Sequence, residues 1–141
     1  MADLNPPSST IPRPVFIVSD GTAITAETLA QAVLTQFPNL NYEQRRIPFV
    51  DTVEKAVATA DRINLVQEKT GMRPLVFSTF SRKSISNAFC DECTGFVSEL
   101  FRSFVNPLEE ELGMKSSHQV GMTHRIRNEE NYDRRIAAID Y

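Results

Sequence analysis

Ser19-Asp20-Gly21-Thr22-Ala23-Ile24-Thr25-Ala26-Glu27 is the stretch of this chain whose residue types and spacing best suit chemistry. It places a glycine, three hydroxyls and two carboxylates where an apolar run hands over to a helical period. Gly21 lets the backbone turn and approach a ligand closely, and amides at a helix start attract anions. With the hydroxyls of Ser19, Thr22 and Thr25 beside them, such amides could hold a phosphate. Asp20 could take the proton of a hydroxyl nucleophile, as phosphoryl transfer to an alcohol requires. A plainer reading stands beside this one. Thr22 or Thr25 caps the helix, Glu27 favours its dipole, and Asp20-Gly21 is an ordinary turn pair. Spacing alone leaves both open.

Three other groups are weaker. Cys90-Asp91-Glu92-Cys93 has the C-x-x-C form, and His118 and His124 follow it. The second pair lies beyond the usual finger separation, and the neighbouring acids raise rather than lower a thiol pKa, so structural thiols are expected and no metal site is assigned. His124 and Arg125 could contact a phosphorylated or acidic partner, because an arginine fork matches phosphate oxygens. Arg82-Lys83, like Arg45-Arg46 and Arg134-Arg135, reads as exposed surface. No G-x-x-x-x-G-K-[ST] occurs, so the chain carries no P-loop.

The elements that must position these residues alternate in type. Val15 to Val18 is an unbroken apolar run, as in a parallel strand covered on both faces. Ile24, Leu29, Ala32, Val33 and Phe37 then recur at helical spacing, with Pro38 beyond the end. Tyr42 to Val50 contains Pro48 and reads as an edge strand. Asp51 or Thr52 caps a helix whose face is Val53, Val57, Ala60 and Ile63 and whose end is Gly71. Arg73 to Phe80 is a third strand and Lys83 to Glu92 a helix. Phe96 to Phe101 is a fourth strand that must accommodate Glu99, and a helix from Pro107 closes at Gly113. Residues 115–131 read as a long loop. Tyr132, Ile136 and Ile139, at i, i+4 and i+7, mark a short amphipathic helix.

Alternating strands and helices predict one α/β domain of Rossmann-like, three-layer form with about four parallel strands, spanning 14–141. Residues 1–13, rich in proline, are expected to form a mobile arm. The whole sequence has 141 residues, 41% of them hydrophobic, and a net charge of -3. Its basic residues are scattered, which disfavours nucleic acid. No apolar run approaches the roughly 20 residues of a membrane span. With two cysteines and no signal-like start, a cytoplasmic location is expected.

The segment from Val15 to Thr28 resembles the opening of the phosphoenolpyruvate synthase regulatory proteins, relatives of the plant pyruvate, phosphate dikinase regulatory proteins. The resemblance continues through Gln36-Phe37-Pro38, Ile47-Pro48-Phe49-Val50, residues 70–77 and residues 132–141. It weakens over Arg82 to Cys93. It implies a bifunctional serine/threonine kinase and phosphorylase. Such a protein uses ADP and Mg²⁺ to phosphorylate a threonine of phosphoenolpyruvate synthase, and restores that enzyme by attack of inorganic phosphate, releasing pyrophosphate. It would switch gluconeogenic carbon flow. Family members continue into a P-loop domain that nothing here matches, so this chain is expected to be the N-terminal half, to hold no nucleotide by itself and to be inactive alone. A truncated module that docks on the synthase without catalysis is the alternative, and an uncovered apolar face would favour a homodimer. Under the resemblance, Asp20 is the base candidate, and Ser19, Gly21, Thr22 and Thr25 surround the phosphate.

Overall fold

A computed structural model describes residues 11–117. Four strands, β1 (Arg13–Ser19), β2 (Tyr42–Ile47), β3 (Leu75–Thr79) and β4 (Phe96–Glu99), form one sheet. Its order is β2-β1-β3-β4, and every neighbouring pair is parallel. Helices α1 (Ile24–Leu34), α2 (Val53–Thr70) and α3 (Lys83–Glu92) connect the strands, and α4 (Asn106–Leu112) follows the last one. This is the three-layer α/β architecture expected of the sequence.

The chain steps from β1 to β2 in one direction, then back across β1 to β3 and on to β4. Right-handed crossovers therefore place α1 on one face of the sheet and α2 with α3 on the other. The core divides accordingly. Val15, Ile17 and Phe77 meet Ala26, Ala30 and Leu34 of α1. Phe16, Val18 and Val76 meet Ala56, Ala60 and Ile63 of α2 and Ile85 and Phe89 of α3. Burial on both faces is why β1 reads as a continuous apolar run.

Several expectations change in detail. β1 begins at Arg13, inside the expected arm, because Arg13 pairs with Tyr42 at the sheet edge. The buried stripe of α1 is Ala26, Ala30 and Leu34, whereas Ile24 and Phe37 are 62% and 58% exposed. Alanines let the helix lie close against the sheet, so the small residues set its phase and the large ones flank it. In α2 the stripe is Ala56, Thr59, Ala60 and Ile63. Val53 opens the helix and is exposed. The Thr52 hydroxyl caps that helix by accepting from the Lys55 amide at 3.0 Å, and Gly71 closes it at φ 73°. β2 is the edge strand expected, and it ends before Pro48.

The fourth strand is shorter than its sequence suggested. It stops at Glu99, and the chain enters a π-helical turn, Phe101–Val105, that leads into α4. Glu99 is buried because both carboxylate oxygens have backbone partners. Oε2 accepts from the Phe80 amide at 2.9 Å and Oε1 from the Arg102 amide at 3.0 Å. Those bonds answer how an acid can end a buried strand. Gly113, at φ 65°, closes α4 as expected. Residues 1–10 and 118–141, with His124, Arg125 and the 132–139 period, lie outside the described residues.

Candidate functional site

In an open parallel sheet ligands bind at the carboxyl edge where the winding direction reverses, here between β1 and β3. The turn after β1 and the turn after β3 meet there. Ser19, the last residue of β1, joins them. Its hydroxyl donates to the Thr79 carbonyl at 3.1 Å and accepts from the Thr79 hydroxyl at 2.9 Å and the Gly21 amide at 3.0 Å. That engagement makes Ser19 a buried clasp of the two strands.

Asp20 is the second link. Its Oδ2 accepts from the amide and the hydroxyl of Ser81, each at 2.9 Å, and Oδ1 has no hydrogen-bond partner among the described residues. The carboxylate thus faces a cavity of about 410 Å³ with one oxygen held and one available. Gly21, Thr22 and Thr25 also line it. The helix-cap reading of these threonines holds in part. Thr22 Oγ1 accepts from the Ile24 amide at 3.4 Å, whereas Ala23, at the N-cap position of α1, offers no side-chain cap.

Two residues with φ in the left-handed region border the same turn. Ala23 has φ 74° at the start of α1, and Phe49 has φ 61°. Phe49 is held by its amide donating to the Gly21 carbonyl at 2.8 Å, while the Val50 amide donates to the Ser19 carbonyl at 2.9 Å. The loop after β2 is thereby fastened to the turn after β1. Strained non-glycine backbone of this kind collects at functional turns.

Four further residues of the cavity were not expected at the site: Asp51, Thr79, Ser81 and Arg82. Arg82 is the one basic side chain among the lining residues, and it is exposed, as expected, at this cavity. The Lys55 ammonium, bonded to Asp51 at 2.9 Å, holds that carboxyl below its ordinary range, with a smaller pull from Arg82. The signal that could have found them is the repeat of the unit. Thr79-Phe80-Ser81-Arg82 leads out of β3 as Ser19-Asp20-Gly21-Thr22 leads out of β1. Glu27, by contrast, turns away to Arg46 at 2.9 Å and Gln44 at 3.3 Å of β2.

The C-x-x-C residues are elsewhere. Cys90 and Cys93 are half-buried free thiols at the end of α3, and burial raises both pKa values. No group of three or more His, Cys, Asp or Glu among the described residues is placed to hold a metal ion. No described helix is long and apolar enough to cross a membrane.

The sequence profile described as Kinase/pyrophosphorylase matches residues 15–141. The chain belongs to the kinase/pyrophosphorylase family. Three curated relatives share the provisional name phosphoenolpyruvate synthase regulatory protein. That of Paraburkholderia phytofirmans is 46% identical over 131 residues, 93% of this chain and 48% of the relative. That of Bordetella avium is 44% identical over 134 residues, 95% and 48%. That of Stutzerimonas stutzeri is 43% identical over 129 residues, 92% and 47%. The chain spans about half the length of the curated relatives it matches. In this kinase/pyrophosphorylase chain every residue of the β1–β3 cavity, from Ser19 to Arg82, lies inside the matched region.

Proposed function

We propose that this chain is the substrate-facing α/β half of a phosphotransferase that regulates phosphoenolpyruvate synthase in the cytoplasm. The reaction is phosphorylation of a synthase threonine at the expense of ADP, leaving AMP, and removal of that phosphoryl group by inorganic phosphate, leaving pyrophosphate. The observation that carries this reading is the Asp20 carboxylate, held on Oδ2 by Ser81 with Oδ1 available, in a cavity at the winding reversal of the sheet. The family and the names of its relatives supply the reaction class.

The lining residues fit a phosphate group. The first-turn amides of α1 beyond Ile24, the Thr22 and Thr25 hydroxyls and the Arg82 guanidinium offer donors around an anion. They do not fit a whole nucleotide, because the turn has a single glycine and no lysine follows it in a P-loop. ADP and Mg²⁺ are therefore assigned to the second domain that the resemblance implies. When bound they supply the phosphoryl group and neutralise its charge.

The role of this chain is then to orient and deprotonate. In the forward direction Asp20 Oδ1 accepts the proton of the threonine hydroxyl as its oxygen bonds to phosphorus. In the removal reaction Asp20 Oδ1 takes the proton of the attacking phosphate and gives it to the departing threonine oxygen as the threonine O–P bond breaks. The donors around the cavity stabilise charge on the transferring group without reorganising. Ser19 and Gly21 hold the turn in shape.

The test pairs this chain with the separately expressed nucleotide-binding half of a relative, together with ADP, Mg²⁺ and purified phosphoenolpyruvate synthase. Transfer in the mixture is expected, with Asp20→Asn lowering both directions by about 10²-fold or more. Parent rates in Asp20→Asn overturn the base assignment. Binding of the synthase with no transfer in any mixture favours a docking module instead.

A further inference from the structure

Phe49 carries two costs that the fold does not explain. Its φ of 61° lies in the left-handed region, where a bulky side chain crowds its own backbone and a glycine would be unstrained. Its ring is 56% exposed, so core packing does not hold it there. Exposed apolar residues are ordinary one by one, but an exposed aromatic on strained backbone is not. Local choices that oppose folding in this way collect where a function needs them.

The strained conformation is imposed from both sides. Val50 is buried in the core with Phe16, Val18 and Phe80, and its amide donates to the Ser19 carbonyl at 2.9 Å. One residue earlier, the Phe49 amide donates to the Gly21 carbonyl at 2.8 Å. Ser19 and Gly21 flank Asp20 in the chain. The loop after β2 therefore cannot relax without moving the turn that carries Asp20, and the Phe49 backbone is fixed relative to that carboxylate. Phe49 is not among the residues that line the Asp20 cavity. Ile24, the first residue of α1, does line it and is 62% exposed. Val53, the first residue of α2, is exposed as well. All three stand at the carboxyl edge of the sheet, which gives the surroundings of a polar cavity an apolar border.

On the reading of the cavity as the threonine-transfer site, on which this rests, we propose that Phe49 is a specificity-determining residue for the protein substrate. With Ile24 and Val53 on the same edge, it receives an apolar side chain next to the reacting threonine. A polypeptide suits the border because its hydroxyl must enter the cavity to meet Asp20, while the chain on either side of that threonine must cross the edge. A phosphate or a free small alcohol would use the cavity alone. An aromatic ring offers a large contact area, and one whose backbone is already fixed loses little freedom on binding. Such a contact selects among hydroxyl-bearing segments without touching the transferred group.

The experiment uses the whole chain with a saturating amount of the separately expressed nucleotide-binding half of a relative, ADP and Mg²⁺, and varies the concentration of phosphoenolpyruvate synthase. Phe49→Gly removes the ring and the strain together, so it is expected to melt no lower than the parent. Its KM for the synthase is expected to rise by about 10-fold while kcat stays within about twofold, the pattern of lost binding rather than lost chemistry. Phe49→Asn, which also tolerates a positive φ, is expected to show the same shift. Phe49→Tyr keeps an aromatic ring and is expected to keep the parent KM.

An unchanged KM in Phe49→Gly, with transfer by the parent intact, would overturn the specificity role and leave the proposed function standing. A raised KM in Phe49→Gly but not in Phe49→Asn would assign the effect to loop mobility and overturn it too. So would a lower melt, which would make the ring a packing element, or a greater requirement for the nucleotide-binding half at an unchanged KM, which would give the border to that domain. Absence of transfer by the parent mixture would defeat the proposed function itself and remove the role of Phe49 with it.

Discussion

Ser81 gives both of its donors to one oxygen of Asp20, its amide and its hydroxyl each 2.9 Å from Oδ2. The pair ties the turn after β1 to the turn after β3, and it fixes the direction of the carboxylate that faces the cavity. Ser81 is therefore a positioning residue for Asp20.

Ser81→Ala removes the hydroxyl and keeps the amide. One hydrogen bond to a charged group is lost, a cost of about 1.5–3 kcal/mol if Asp20 cannot recruit water. In the reconstituted transfer assay the rate is expected to fall by about 10-fold, because the carboxylate has lost one of the two donors that fix its direction. Ser81→Thr restores the hydroxyl and is expected to recover most of the rate. An unchanged rate in Ser81→Ala would reduce Ser81 to a structural link.

Glu99 gives a pH prediction whose sign follows from its burial. Burial pushes its pKa up, and the amides of Phe80 and Arg102 offset part of that push. A carboxyl raised in the folded state binds its proton more tightly there than in the unfolded chain. Its contribution to stability is present below the ordinary glutamate pKa and is lost as pH rises through the raised value. Denaturant melts across that window should show the parent losing stability relative to Glu99→Gln as pH increases. The variant carries a constant penalty of about 1–3 kcal/mol for its mismatched amide. Parallel curves would mean that Glu99 titrates alike in both states.

Much of the fold was legible because the strongest signals are local. Gly71 and Gly113 close helices where the sequence places them, at φ 73° and 65°, and Pro48 stops an edge strand. The phase of α1 was not legible, since Ala26 and Ala30 carry little hydrophobic weight yet occupy the contact with the sheet. Asp20, Gly21, Thr22 and Thr25 were found as a cavity lining from one segment. Ser81 and Arg82 were not, because they are sixty positions away in sequence and reach the site through the β1–β3 pairing. Strand order is the missing quantity in each such case.

Cys90 and Cys93 are expected to behave as inert thiols. Burial raises both pKa values, so little thiolate is present at neutral pH. Alkylation by iodoacetamide at pH 7 should run at least about 10-fold slower in the folded protein than after unfolding in guanidinium. Rapid labelling of the folded chain, or stoichiometric zinc in the purified protein, would reinstate the C-x-x-C pair as a reactive or metal-binding element.

Gly95→Ala tests how closely β4 is fitted to β3. A Cβ at this position would lie 3.0 Å from the Pro74 carbonyl oxygen, 3.2 Å from Val76 Cγ2 and 3.5 Å from Cys93 Sγ. The Pro74 carbonyl cannot retreat freely, since it accepts the Phe96 amide at 2.8 Å and so starts the β3–β4 ladder. Overpacking against backbone is expected to cost about 1–3 kcal/mol. Gly71 is the control. It has open space around its Cβ position and a positive φ, so Gly71→Ala loses stability through backbone conformation alone, and Gly71→Asn recovers part of the loss. Gly95→Asn should recover nothing, because the obstacle is the neighbouring carbonyl. Thermal melts of the four variants separate the two causes, and an unaffected Gly95→Ala would show that the start of β4 can shift away from β3.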